Sequence, residues 1–227
     1  MAAPQESAAA VWRDPDVARA WMQADTMESI LAFPRAIAAA IVAHDRPNVQ
    51  LVIDIGSGPG AFLAAFLDQF PNSRGIWSDA SDTMREAAVD RLAPYGDRVR
   101  YVVGDMTNLT GSDLPASADV VTTSRAAHHL DRAGLATFYA EAVAHLAPGG
   151  WLINLDHTGP ADHWDKRFRA VRPRFNKRGG QGPKHHHNYP LTGIGDHVDA
   201  FAGAGITDVE IAWKAFFTCL FMGRKDG

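Results

Sequence analysis

Residues 51–62, LVIDIGSGPGAF, constrain this chain more than any other stretch. Leu51, Val52, Ile53 and Ile55 form a short apolar run interrupted by Asp54, which suits a strand buried on both faces of a parallel sheet. Gly56, Gly58 and Gly60 follow, where the chain must bend sharply and a missing Cβ lets a ligand approach the backbone amides. Helical periodicity resumes at once over 61–70, with Phe62, Leu63, Phe66, Leu67 and Phe70 set to pack against the sheet. A glycine loop between a strand end and a helix N-terminus is the ligand-binding position of open α/β sheets.

The rest of the composition limits what can surround that loop. At 227 residues the chain has the length of one α/β domain with room for an insertion. A formal net charge of -4 and a pI near 6.2 argue against a surface built as a whole to hold nucleic acid. The single cysteine, Cys219, excludes a disulfide framework and a cysteine-ligated cluster. MAAPQESAAA lacks the basic start and apolar core of a signal peptide, and no run is long enough to span a bilayer, so a soluble cytoplasmic enzyme is expected.

Gly56, Gly58 and Ala61 also fit the spacing of a dinucleotide-binding loop, but Asp54 separates the two readings. A carboxylate two residues before the first glycine would repel a pyrophosphate and suits a ligand carrying an ammonium and a sulfonium. The run VIDIGSGPG resembles the first motif of class I S-adenosylmethionine-dependent methyltransferases, and later segments are similar to the same family in the expected order. The resemblance implies a Rossmann-like α/β fold: seven strands, helices on both faces and a C-terminal antiparallel hairpin. It implies S-adenosyl-L-methionine as cofactor and S-adenosyl-L-homocysteine as product.

The donor-site residues follow in chain order. Asp54, Gly56, Ser57, Gly58 and Gly60 belong to the loop. A second strand, 74–78, delivers Asp79 about 20 residues beyond the loop, where a carboxylate can accept from both ribose hydroxyls. Ala80 and Met84 lie in the family-like run DASDTM, in which Ser81 to Met84 open a helix. A third strand, 98–103, ends at Asp105 and Met106; the resemblance gives these to the adenine amino group and ring, although a turn aspartate would look the same. The fourth strand, 118–123, leads to Ser124 and a histidine-leucine turn at His128, His129 and Leu130. Asp131 caps a helix through His145, Pro148-Gly149-Gly150 ends it, and a fifth strand spans 151–156.

The flanks divide the domain into an N-terminal helical cap, 1–47, a cofactor-binding core, 48–156, an insertion, 157–190, and a C-terminal helix and hairpin, 191–227. In the cap, Asp14-Pro15-Asp16 starts one helix, Asp25 and Glu28 have capping-box spacing for the next, and Pro34 is expected to break it. Trp12, Trp21 and Phe33 are expected chiefly in the core, with a pocket wall as the other reading. The insertion carries eight cations against Asp162 and Asp165, with five histidines and interleaved aromatics, and is expected to form a basic lid over the site. Residues 194–203 read as a helix, and 206–213 with 216–222 as the closing hairpin.

These readings converge on methyl transfer to a small-molecule acceptor that is aromatic, anionic or both, with no membrane and no nucleic acid as partner. His128 and His157, at the ends of neighbouring strands, are the candidate bases for a hydroxyl or thiol acceptor, with a structural hydrogen-bonded role as the alternative. No metal ligands are assigned. The competing readings are a metal-assisted O-methyltransferase using Asp156, His157 or His185 to His187, an RNA methyltransferase using the basic insertion, and a non-catalytic nucleoside-binding module.

Overall fold

The computed structural model describes residues 8–24, 28–175 and 190–227. The proposed cap at Asp25, the start of the chain and most of the histidine-rich run, including His185 to His187, lie outside them. Three N-terminal helices, α1 (Ala8–Trp12), α2 (Pro15–Ala24) and α3 (Glu28–Asp45), precede β1 (Leu51–Ile55). Then come α4 (Ala61–Gln69), β2 (Arg74–Asp79), α5 (Asp82–Leu92), β3 (Val99–Val103), β4 (Ala118–Ser124), α6 (Arg132–Ala144) and β5 (Leu146–His157). The chain closes with α7 (Asp162–Val171), α8 (Ile194–Gly203), β6 (Val209–Ala215) and β7 (Thr218–Arg224).

The strands form one seven-stranded sheet in the order β3-β2-β1-β4-β5-β7-β6. β1 to β5 pair in parallel, while β7 runs antiparallel to both β5 and β6. The order reverses between β1 and β4, so the loops after these two strands open a crevice at their carboxyl ends, the switch-point position for ligands. Strand alternation divides the core into two layers. Val52, Val120 and Ile153 pack with Phe62, Phe66 and Met84 on the α4–α5 side. Ile53, Val121 and Leu152 pack with Phe138, Tyr139 and Phe201 on the α6–α8 side.

Two local expectations are corrected. Pro34 does not break α3, which runs unbroken through it. A proline there removes one helical hydrogen bond, but Leu31, Ala38 and Val42 along the same helix are fully buried and hold it to the core. Likewise Pro148-Gly149-Gly150 does not precede the fifth strand. β5 already begins at Leu146, and the pairing with β4 slips between Ala118 and Val120, with Gly149 at φ 69 inside the irregularity.

Candidate active site

The cleft at the switch point takes in about 870 Å³ of non-atom space, part of it open to solvent, in the place where open α/β sheets bind their ligands. The glycine loop forms its floor. Gly56 (φ 62) leaves so little room that a Cβ would lie 2.6 Å from the Ala126 Cβ, which brings the loop tight against the segment after β4. Ser57 N–H donates to the Ser78 carbonyl at 3.0 Å, and Trp77 Nε1–H donates to the Gly58 carbonyl at 2.7 Å, so β2 fastens the loop from the other side.

Asp54 supports this loop from within and is not among the residues that line the cleft. Its carboxylate is fully buried and accepts from Ser57 Oγ at 2.6 Å, Leu63 N–H at 3.2 Å and Thr122 Oγ1 at 2.8 Å. Burial raises its pKa to about 6, against the opposing pull of these bonds and of the Arg35 charge. Gly60, at φ 81, also serves packing: a Cβ there would lie 2.9 Å from Leu92 of α5.

Asp79 does line the cleft, together with Ala80 and Met84. Its Oδ2 accepts from Gly58 N–H at 2.8 Å and its Oδ1 from Ser81 N–H at 3.0 Å, and burial raises its pKa. Each carboxylate oxygen has a second lone pair, so these bonds leave acceptor capacity toward the cleft. Gly104 and Met106 reach the wall, whereas Asp105 between them turns away. Its Oδ1 accepts from Thr107 N–H and Oγ1 at 2.9 and 2.7 Å, as in a turn aspartate, and its Oδ2 lies 3.8 Å from Arg13. Ser124 lines the opposite wall, and its buried Oγ has no hydrogen-bond partner among the described residues.

The rest of the lining is built from residues that sequence reasoning placed elsewhere or missed. Trp12 and Trp21 of the helical cap meet edge to face at 5.7 Å, pack on the core and line the cleft, while Phe33 is 64% exposed and does neither. Arg125 follows β4 with φ 52, a left-handed conformation that costs a non-glycine residue roughly 1–3 kcal/mol and persists only where its surroundings impose it. Its N–H donates to the Leu155 carbonyl at 3.1 Å, and its guanidinium lies 4.5 Å over the Trp21 ring. Arg35 of α3, 6% exposed, lines the cleft beside the glycine loop.

The histidines are arranged differently from expectation. His129, not His128, lines the cleft, with its ring 5.7 Å from Trp12 and 4.2 Å from His128. His128 is 2% exposed; its Nδ1 lies 2.6 Å from Asp156 Oδ1 and its backbone N–H donates to Asp156 Oδ2 at 3.0 Å. His157 stands behind this pair, 5.2 Å from His128, with Nδ1 3.0 Å from Thr218 Oγ1. Burial first, then the His128 charge, pushes its pKa down to about 3, so it stays neutral and is a poor proton acceptor near neutral pH. His157 is not among the residues that line the cleft.

The described part of the basic insertion forms α7, which packs on the β6–β7 turn through Phe168, 5.7 Å from Phe216 and 5.5 Å from Phe217. No group of three or more His, Cys, Asp or Glu among the described residues is placed to hold a metal ion. Among those residues, no helix is long and apolar enough to cross a membrane.

Sheet order, glycine loop and switch-point cleft together define a class I S-adenosylmethionine-dependent methyltransferase fold. Comparison with known proteins agrees: residues 52–150 match the family described as "Methyltransferase domain". The chain is 32% identical over 111 residues to a 3-amino-4-hydroxybenzoate 4-O-methyltransferase of Streptomyces cremeus, covering 48% of this chain and 29% of that protein. It is 36% identical over 81 residues to a ribosomal RNA small subunit methyltransferase H of a Synechococcus strain, covering 34% of this chain and 26% of that protein. The chain thus spans less than a third of the length of these curated relatives. A solved 1,6-didemethyltoxoflavin-N1-methyltransferase of Burkholderia thailandensis superposes with a TM-score of 0.65 at 20% identity, over 100% of this chain and 94% of that one.

Proposed function

We propose that the protein transfers a methyl group from S-adenosyl-L-methionine to a small-molecule acceptor. The observation that carries this reading is one cleft at the switch point lined both by the glycine loop with Asp79 and by two tryptophans with Arg125 and His129. The residues fit the donor. Asp79 supplies two oxygens for the ribose hydroxyls, Gly104 and Met106 flank the space for the adenine, and Arg35 beside the loop offers a cation for the methionine carboxylate. The buried Ser124 Oγ supplies one more polar group at the wall. Asp54 acts through the loop that it holds.

When bound, the donor supplies an electrophilic methyl on a sulfonium; the acceptor's lone pair forms the new bond as the carbon–sulfur bond breaks with its electrons to sulfur. The protein's part is alignment and exclusion of water, to which Trp12 and Trp21 contribute as apolar walls of the cleft. Where the acceptor is a hydroxyl, His129 at the wall takes its proton, and His128, tilted against it at 4.2 Å and anchored by Asp156, is a positioning residue. The aminohydroxybenzoate and toxoflavin methyltransferases among the relatives support a small aromatic acceptor.

Calorimetric titration with S-adenosylhomocysteine, followed by methyl transfer from labelled donor to a panel of phenols, aromatic acids and heteroaromatic amines, tests the reading. Saturable donor binding with transfer to a small acceptor is the expected result. Transfer only to ribosomal RNA would replace it with the RNA reading that the shorter matches suggest.

A further inference from the structure

Two side chains of one strand hold Gly58 between them. Trp77 and Asp79 stand two residues apart on β2, so they leave the same face of the sheet. The indole Nε1–H of Trp77 donates to the Gly58 carbonyl at 2.7 Å, and Asp79 Oδ2 accepts from Gly58 N–H at 2.8 Å. That carbonyl and that N–H belong to successive peptide groups, so the two bonds fix both peptide planes that meet at the Gly58 Cα. Gly58 needs such a grip. It adopts a left-handed φ of 53, and nothing lies within 4 Å of where its Cβ would be, so no packing against that position limits its rotation. Trp77 supplies a rigid anchor for it. The residue is fully buried in the layer with Phe62 and Met84, and its ring lies 5.9 Å from that of Tyr101 on β3.

On the donor reading above, on which this inference rests, Asp79 accepts from the ribose hydroxyls. We propose that Trp77 is a positioning residue for ribose recognition, acting through Gly58 on the Asp79 carboxylate. With the indole bond in place, Gly58 N–H stays on Oδ2 while Ser81 N–H holds Oδ1 at 3.0 Å, and each oxygen keeps a second lone pair in a fixed direction for a hydroxyl. Without it the Gly58 peptide turns, Oδ2 loses its fixed donor, and hydroxyl binding must then order a carboxylate that is otherwise ordered in advance.

Calorimetry on the full chain tests this by comparing S-adenosylhomocysteine with its dideoxyribose analogue, which lacks both hydroxyls. The wild type is expected to bind S-adenosylhomocysteine about tenfold or more tightly than the analogue. Trp77→Phe should weaken S-adenosylhomocysteine by about three- to tenfold and the analogue by less than about twofold, so the ratio shrinks. Because Phe is smaller and leaves a cavity, Trp77→naphthylalanine, which keeps a bicyclic ring without an N–H, should give the same smaller ratio. Combined with Asp79→Ala, Trp77→Phe should cost less than about a further twofold in S-adenosylhomocysteine affinity, because the indole acts through the carboxylate. A thermal melt confirms that each variant is folded. Equal weakening of both ligands, or a wild-type ratio in the naphthylalanine variant, overturns the proposal and leaves Trp77 a packing residue. Failure of the wild type to bind S-adenosylhomocysteine removes the methyltransferase reading and this inference with it. Equal wild-type affinity for the two ligands removes the ribose assignment of Asp79 and this inference; a ribose preference untouched by loss of the indole N–H removes this inference alone.

Discussion

His128 Nδ1 lies 2.6 Å from Asp156 Oδ1, in a buried pair that sits behind the cleft wall to which His129 contributes. A carboxylate on one ring nitrogen fixes tautomer and orientation, so this pair holds one imidazole rigidly against another whose face meets the cleft. The two rings form a single device. With a hydroxyl acceptor, His129→Ala should lower turnover by roughly 10²- to 10⁴-fold. His128→Ala should lower it by a smaller factor, and the double variant should be no worse than His129→Ala alone, because residues acting as a unit are not additive. Steady-state rates together with calorimetry for S-adenosylhomocysteine check this, with donor affinity expected to be nearly unchanged. If His129→Ala retains activity while His128→Ala does not, His128 is itself the base.

Asp79 is expected to carry a large share of donor affinity. Replacement by Ala removes the acceptor for two ribose hydroxyls and frees Gly58 N–H and Ser81 N–H as well. The loss should be about 1.5 to 3 kcal/mol in S-adenosylhomocysteine binding. Asp79→Asn, which keeps one carbonyl oxygen, should fall between the two. Unchanged affinity in a folded Asp79→Ala variant would remove the ribose assignment.

Most of the fold was legible because burial on two sheet faces leaves a strong mark: runs such as 51–55 and 118–123 are apolar on both parities, and each ends at a polar or glycine turn. The loop and strand ends that line the cleft were legible for the same reason, being contiguous with those runs. Asp54 and Asp105, neither of which lines the cleft, show what spacing leaves open. An acid at a strand end may point into the cleft or bond its own turn, and only the local backbone decides, as Thr107 does for Asp105. Choosing between His128 and His129 depends on the rotation of one short turn, which no periodicity encodes. Arg35 lies on a helix well before the loop, one of 22 Lys and Arg residues, and nothing in its neighbourhood marks it until α3 packs beside α4. The signal available for Arg125 was its position directly after Ser124 at a strand end.

Two buried groups should give the stability opposite dependences on pH. Asp54 has a folded pKa raised to about 6 from 3.8, so its contribution is fully favourable below 3.8 and is lost as pH rises toward 6. His157 has a folded pKa lowered to about 3 from 6.5, so its contribution is present above 6.5 and is lost as pH falls toward 3. Each window spans two or more pH units, which corresponds to a few kcal/mol on the order of magnitude. Urea unfolding between pH 4 and 8 measures both effects. Relative to Asp54→Asn, the wild type should lose stability between pH 4 and 6 and then stay level. Relative to His157→Gln, it should lose stability as pH drops below 6.5. Parallel curves for wild type and both variants would mean that neither group titrates with folding.

Gly56 and Gly58 adopt nearly the same left-handed backbone, φ 62 and φ 53, yet their surroundings differ. Alanine at either position incurs the left-handed cost of roughly 1–2 kcal/mol. At Gly58 that is the whole cost, because nothing lies within 4 Å of the Cβ position. At Gly56 the new methyl would meet the Ala126 Cβ at 2.6 Å, a distance that backbone movement must relieve, and the backbone that would move is the one carrying Arg125 and His129. Gly56→Ala should therefore cost more stability than Gly58→Ala, by at least about 1 kcal/mol in denaturant unfolding. It should also impair acceptor turnover beyond its effect on donor affinity, since the displaced segment carries His129, the proposed base. The companion change Ala126→Gly removes the opposing methyl and should restore a large part of the stability lost in Gly56→Ala. If the double variant is no more stable than Gly56→Ala alone, close packing against Ala126 is not what requires glycine at this position.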